Sequence, residues 1–317
     1  MNEPVLPKRW QAIDGVLLLD KPIGMTSNAA LQKARRLFLA AKAGHAGTLD
    51  PLATGLLPLL FGEAAKFSAD LLNADKTYEA EICFGVTTDT GDREGAVMET
   101  TTPPHDLADR IKRALPCFLG EQLQTPPMYS AIKHHGRPLY ELARQGMEVE
   151  RAPRRVVFYA LEPCSWDLPR FSLRVKCSKG AYIRTLAEDL GRAAGCGAHL
   201  TALRRVQVGA LEIRRAYTLE TLASLSENER LACLGAVDSL LARLPMTCLD
   251  AAETRRFLHG NPVTLDIETQ PPGATRVYGK QEDARTFLGL GDFRADHSLW
   301  PRRLIAGLGG RQVLKKR

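Results

Sequence analysis

The chain predicts an α+β fold: a mixed, largely antiparallel sheet with helices interspersed, then a small β-rich unit at the C-terminal end. Three observations carry this. Tyr78–Val86 and Phe171–Cys177 alternate apolar and polar residues, the pattern of half-buried antiparallel strands. Leu31, Ala34, Phe38 and Ala41, and later Ile183, Leu186, Ala187 and Leu190, recur at helical spacing. Beyond about Pro245 the texture changes to short β-prone pieces between Gly, Pro and Asp turns. At 317 residues, 44% hydrophobic and 25% charged, the chain can bury a sizeable core in one large domain or two. The division expected is 1–246 and 247–317.

In chain order, Gly15–Asp20 reads as a short buried strand ending in the turn Lys21-Pro22-x-Gly24. Ser27 then caps a helix reaching about Ala41, with Lys33, Arg35 and Arg36 off its apolar face and Gly44 closing it. Tyr78 stands at the start of the buried face shared by Ala80, Ile82, Phe84 and Val86. Val156–Leu161, Phe171–Cys177 and Val206–Ile213 supply further strands. Between the last two, Ser178-Lys179-Gly180 turns into a helix that Gly191 or Gly195 stops. Asp250-x-x-Glu253 is a capping box opening a short helix that ends at Gly260-Asn261-Pro262. Val263–Ile267, Thr275–Tyr278, Thr286–Leu290 and Arg303–Ile305 are the strands expected beyond it.

Charge and cysteine usage narrow the function. The 43 Lys and Arg against 36 Asp and Glu leave +7, and Ala251–Arg317 alone carries 12 − 7 = +5. Six Arg-Arg dipeptides punctuate the chain, from Arg35-Arg36 to Arg302-Arg303. A basic body with a more basic tail suggests a polyanionic partner, although on charge alone a solvated surface is the default reading. Pro51–Gly62, at 12 residues with two prolines, is too short to span a bilayer, and the N-terminus does not read as a signal peptide. Seven cysteines, none in a Cys-x-x-Cys pair, argue against a disulfide framework or zinc site and fit a reducing, cytoplasmic setting. No nucleotide-binding glycine motif occurs, and no histidine pair has metal-ligand spacing, so no cofactor or metal is expected. Asp89-Thr-Gly-Asp-Arg-Glu-Gly95 misses the positions of a calcium loop and reads as a hairpin turn.

Two constellations remain for chemistry. Gly44-His-Ala-Gly-Thr-Leu-Asp-Pro-Leu-Ala-Thr-Gly55 sets His45 and Asp50 among small residues on a loop that runs straight into the apolar Leu56–Phe61. By default an Asp before Pro is a turn starter and a single His is structural; the glycine-punctuated entry into buried structure favours a site. Cys177-Ser-Lys-Gly-Ala-Tyr-Ile-Arg184 offers Lys179, Tyr182 and Arg184 within six residues, either a solvated helix start or a place to stack a base and hold an anion.

These motifs, together with Gly15-Val-Leu-Leu-Leu-Asp-Lys-Pro-x-Gly-Met-Thr-Ser27, Gly62-Glu-Ala-x-Lys-Phe67, Lys76-x-Tyr78, Pro127-Met-Tyr-Ser-Ala-x-Lys133 and Cys196-Gly-Ala-His199, resemble the bacterial TruB-type tRNA pseudouridine synthases, in family order from Gly15 to about Val206. Phe287-Leu-Gly-Leu-Gly291 and Pro301-Arg-Arg-Leu304 resemble that family's PUA-like RNA-binding domain. Ala65, where Thr is expected, and the basic tail Arg311–Arg317 depart from the pattern.

The resemblance implies a catalytic domain over 1–246 and a PUA-like domain over 247–317. It implies isomerisation of the T-loop uridine conventionally numbered 55 in tRNA, with the T stem-loop as partner and the target base flipped out of its stack. Asp50 takes the nucleophile role, by attack at C1′, by glycal formation or by addition at C6. Arg184 pairs with it, and Tyr78 stacks on the uracil and takes a proton. Tyr182 and Leu203 wall the pocket, His45 contacts the opened loop, and Lys21 and Lys66 serve packing or phosphate contact. A monomer is the expected state. Two rival readings use the same residues: an RNA chaperone acting through the basic surface, and an RNA glycosidase that releases free uracil.

Overall fold

The structure is a computed structural model and describes residues 10–265, 271–281 and 284–306. The expected basic tail Arg311–Arg317 and the end of the Val263–Ile267 strand lie outside them.

The chain opens with strand β1 (Gly15–Lys21), helix α1 (Ser27–Leu37), the short β2 (Ala43–His45) and β3 (Thr54–Phe61). Thr26, and not Ser27, caps α1, accepting from the Ala29 amide at 3.1 Å. The helix also ends at Leu37, well before Ala41, because Leu39 turns to φ 52° and the Arg35 guanidinium caps the chain end through the Ala40 carbonyl at 2.9 Å. Next come α2 (Ser68–Asn73), β4 (Lys76–Phe84), β5 (Val86–Thr88) and β6 (Val97–Thr100). Gly85, at φ 92°, breaks the run expected to continue to Val86. The expected hairpin around Asp89–Gly95 joins β5 to β6 in antiparallel pairing.

A connecting stretch holds α3 (Leu107–Ala114), β7 (Gly120–Gln124), the two-residue strands β8 (Lys133–His134) and β9 (Arg137–Pro138), and α4 (Leu139–Ala143). Then follow β10 (Arg154–Ser165), β11 (Arg170–Cys177), α5 (Ile183–Ala194), β12 (Ala198–Val208), β13 (Leu211–Glu212), α6 (Leu219–Ser224) and α7 (Glu227–Ala232). Gly195, in the left-handed conformation, stops α5, while Gly191 stays inside it against the backbone of Gly197 and Ala198. The strand expected over Val206–Ile213 begins earlier, at Ala198, and Gly209 ends it at φ 56°.

Among the described residues the larger sheet has nine strands, in the order β1-β3-β12-β4-β11-β10-β7 with β2 and β13 alongside. All its pairings are antiparallel except β3 with β12, where Gly55 lies opposite Arg205. One face carries α1, α3 and α5 over a core that includes Leu17, Leu57, Ile82, Phe84, Phe171 and Leu186. β14 (Met246–Leu249), α8 (Ala251–Leu258), β15 (Val263–Thr264), β16 (Gly273–Gln281), β17 (Ala284–Phe293) and β18 (Ser298–Leu304) are the remaining elements among the described residues. The capping box opens α8 as expected, with the Asp250 and Glu253 side chains each accepting the other's backbone amide at 2.8 Å. β14 to β18 form a separate five-stranded sheet around Leu249, Phe257, Val277 and Leu299.

The second sheet meets the first body along a third small core. Phe67, Leu241 and Leu290 are buried together, and the Phe67 and Phe287 rings stand 5.7 Å apart. Polar contacts fasten its edge: Lys66 Nζ donates to the Leu304 carbonyl at 2.9 Å, and Tyr278 Oη donates to Asp238 Oδ2 at 2.5 Å.

Candidate active site

A cavity of about 370 Å³ opens where the β2–β3 loop, β4, the start of α5 and β12 converge. Asp50, Tyr78, Tyr182, Arg184 and Leu203 all line it, brought together from four stretches of chain. Asp50 comes first because its loop is fixed at several points. Leu49 donates its amide to Ser27 Oγ at 2.7 Å, Ser27 Oγ donates to the Leu49 carbonyl at 3.0 Å, and Gly24 donates to the Pro51 carbonyl at 2.8 Å. Ser27, expected as a helix cap, is thus a staple between α1 and the loop.

Arg184 reaches Asp50 from the first turn of α5, with Nη2 3.0 Å from Oδ2. Its guanidinium is otherwise occupied by protein: Nη1 donates to the Thr90 carbonyl at 2.9 Å and Nη2 to the Tyr129 carbonyl at 2.6 Å. Asp92 adds a second carboxylate, with Oδ2 3.8 Å from Nε. The Asp92 side chain is 6% exposed and is held by Thr90 Oγ1 and the Glu94 amide at 2.7 and 3.0 Å; that of Asp50 is 39% exposed and faces the cavity. One arginine therefore serves two acids, of which only Asp50 is open to a ligand. Burial pushes the Asp50 carboxyl above its ordinary value, opposed by Arg184 and reinforced by Asp92. The ordinary carboxylate value of about 3.9 thus does not apply here.

Tyr78 lies half-buried two residues into β4, and burial raises its phenol, with the Arg205 cation opposing. Tyr182 is fixed by a reciprocal amide clasp: its N–H donates to Gln124 Oε1 at 2.9 Å, and Gln124 Nε2 donates to its carbonyl at 3.2 Å. Leu203, 9% exposed, closes the apolar side.

The other expected site residues stand elsewhere. His45 is half-buried on β2, outside the cavity lining; its Nδ1 is buried without a hydrogen-bond partner, and burial with the nearby Arg205 holds the imidazole below its usual value. Lys21 is fully buried at the end of β1, its ammonium bonded to the Pro22 and Met25 carbonyls at 2.9 and 2.6 Å. Burial lowers it to about 8, with the Asp50 carboxylate opposing. Lys66 sits against the second sheet, bridging Glu63 and the Leu304 carbonyl. Asp92 and Arg205 were not singled out in the sequence. Asp92 reads there as a hairpin residue. Arg205 did leave a signal: it shares the strand phase of the buried Leu203, an unusual place for a charge. Among the described residues no group of three or more His, Cys, Asp or Glu could hold a metal ion, and no helix is long and apolar enough to cross a membrane.

Solved structures share this fold. A chain from the structure of an H/ACA RNP bound to a substrate RNA containing 2′-deoxyuridine superposes with a TM-score of 0.67 at 21% identity, covering 92% of this chain and 84% of that one. A chain from an archaeal box H/ACA sRNP Nop10-Cbf5 complex gives 0.66 at 22% identity, covering 92% and 86%. At such identities the likeness is one of fold, a mixed α+β architecture with a second, smaller β-rich unit. Three family models then match almost end to end: TruB family pseudouridylate synthase (N terminal domain) over residues 35–183, tRNA pseudouridylate synthase B C-terminal domain over 184–243, and Pseudouridine synthase II TruB, C-terminal over 245–305. The relative named tRNA pseudouridine synthase B from Dechloromonas aromatica (strain RCB) is 54% identical over 299 residues, covering 94% of this chain and 97% of its own. The one of the same name from Burkholderia lata is 52% identical over 308 residues, covering 96% and 93%. The chain belongs to the TruB family of tRNA pseudouridine synthases, and is an isomerase.

Proposed function

We propose that the enzyme converts uridine 55 in the T loop of tRNA to pseudouridine, with Asp50 as nucleophile. The observation that carries this is the Arg184–Asp50 pair at 3.0 Å in a cavity walled by Tyr78, Tyr182 and Leu203. The reaction breaks the N1–C1′ bond, forms C5–C1′ and moves one proton from C5 to N1, so it balances without a co-reactant. Attack at C1′, glycal formation and addition at C6 all start from an ionised carboxylate that one fixed cation keeps charged and aimed. Tyr78 stacks on the detached uracil and, its phenol being neutral, relays the C5 proton by giving up its own as it accepts one. Tyr182 and Leu203 confine the ring while it turns, which a water-filled cleft would not do.

A uracil cannot enter this cavity while stacked in the loop, so the base is flipped out at a cost on the order of a few kcal/mol. His45, uncharged beside Arg205, contacts the opened loop. Lys21 and Lys66 act by packing, the first in the turn after β1 and the second against the C-terminal sheet. Residues 1–246 form the catalytic domain, and 247–317 form a PUA-like domain that lengthens the phosphate contact. The enzyme works as a cytoplasmic monomer without metal or cofactor.

The test is nucleoside chromatography of a T-arm RNA hairpin after incubation, without metal, with wild type and with Asp50→Asn. Pseudouridine at one loop position from wild type alone is the expected result. Free uracil would indicate a glycosidase, and unchanged uridine with tight binding would indicate a chaperone.

A further inference from the structure

Arg205 is 1% exposed, among the largest fully buried side chains of the protein. A buried guanidinium normally has a carboxylate beside it, since the uncompensated charge is costly. Among the described residues Arg205 has none within ion-pair distance. Besides the Tyr78 phenol, its donors meet backbone carbonyls: Nε to Leu56 at 2.8 Å, Nη2 to Gly47 at 3.1 Å, and Nη1 to Thr48 at 3.5 Å. Leu56 belongs to β3, whereas Gly47 and Thr48 belong to the loop that carries Asp50 and line the cavity.

That loop approaches the guanidinium so closely that a Cβ at Gly47 would meet Nη1 at 3.3 Å, and Gly47 itself has φ 92°. On the neighbouring strand, Tyr78 lies directly opposite Arg205 in the β4–β12 register and borders the same cavity. An apolar side chain would fill this volume without the desolvation cost. It could not satisfy the inward-facing carbonyls of a loop that has no strand partner there.

We infer that Arg205 is a positioning residue of the isomerase: its planar fork holds Gly47 and Thr48, and through them Asp50, at a fixed place against the wall that carries Tyr78. This rests on Asp50 being the reacting carboxylate. Arg205 itself borders the cavity, but its effect falls on the reacting geometry, where a displacement of about 1 Å costs on the order of 10²-fold in rate.

The experiment is single-turnover conversion of the T-arm hairpin with enzyme in excess, alongside hairpin affinity and thermal melting. Arg205→Met should lower the rate constant on the order of 10²-fold at full amplitude, with hairpin affinity unchanged. Arg205→Lys keeps the charge but loses the fork, and should recover part of the rate, about tenfold below wild type. A wild-type rate constant with reduced amplitude would mean a merely structural role and overturns the inference. So would an equal loss of rate and affinity, which would place the residue in RNA binding. Should Arg205→Met fail to fold, Gly47→Ala perturbs the same contact from the loop side, and an unchanged rate constant there also overturns it. Asp50→Asn is run in parallel: activity in that variant would sink the nucleophile reading and not the clamp itself, which the Arg205 rate constants judge.

Discussion

Burial pushes the Asp50 carboxyl up, and the guanidinium 3.0 Å away pulls it back, so the acid limb of activity reports the balance of the two. Because the folded value is raised, activity should fall with decreasing pH at a point above the ordinary carboxylate value of about 3.9. Arg184→Gln removes the larger opposing influence, so single-turnover profiles should show the limb moving to higher pH as well as a lower plateau. A limb that stays in place would mean that Arg184 does not set the charge of Asp50. Ser27 makes a second residue-scale case. Ser27→Ala strands the Leu49 amide, buried with its hydroxyl partner, and should cost about 1–3 kcal/mol in urea unfolding. The sequence marked Ser27 by its position before an apolar run, but that pattern cannot tell a cap from a staple. The deciding partner, Leu49, lies 22 residues away.

Elements follow the sequence where period decides them. β4, β11 and α5 appear where alternation or helical spacing predicts, since each buries one face against the same core. β3 is different, a nearly continuous apolar strand buried on both faces between β1 and β12. Its parallel pairing with β12 depends on Gly55, where φ is 99° and a Cβ would stand 2.3 Å from the Arg205 carbonyl. Gly55→Ala should therefore cost about 3 kcal/mol or more, measured by urea unfolding, because the atoms it would meet are the Arg205 backbone, which cannot swing aside as a side chain can. A cost near that of an exposed glycine would contradict the close approach. On β11, burial pushes the Cys177 thiol up to about 12, while Cys117, Cys164 and, on β14, Cys248 are exposed. Alkylation at pH 8 should label Cys117, Cys164 and Cys248 and spare Cys177 until the protein unfolds, as peptide mapping would reveal.

At the scale of the whole molecule, the two sheets share Phe67, Leu241 and Leu290, so neither is fully covered without the other. Tyr278→Phe removes the hydrogen bond to Asp238 across this junction and should lower stability by about 1–3 kcal/mol. An unchanged urea midpoint would mean the contact adds nothing. The net charge of +7 bears on the partner. Affinity for the T-arm hairpin should fall steeply as salt rises, since each phosphate contact releases counterions; a flat dependence between low and moderate salt would exclude a phosphate-led interface.

The sequence by itself determined the fold class, the alternating strands, the α8 capping box, the family and the residues that carry its motifs. These are local signals: period, turn chemistry and the order of short motifs are all written within a few residues. Only the tertiary structure decided that Asp92 shares Arg184 with Asp50, that Lys66 serves the contact between sheets, and that Arg205 holds the loop beside the cavity. Each of those depends on distance between segments remote in sequence. Burial, moreover, sets the charge of a group through everything packed around it and not through its neighbours along the chain.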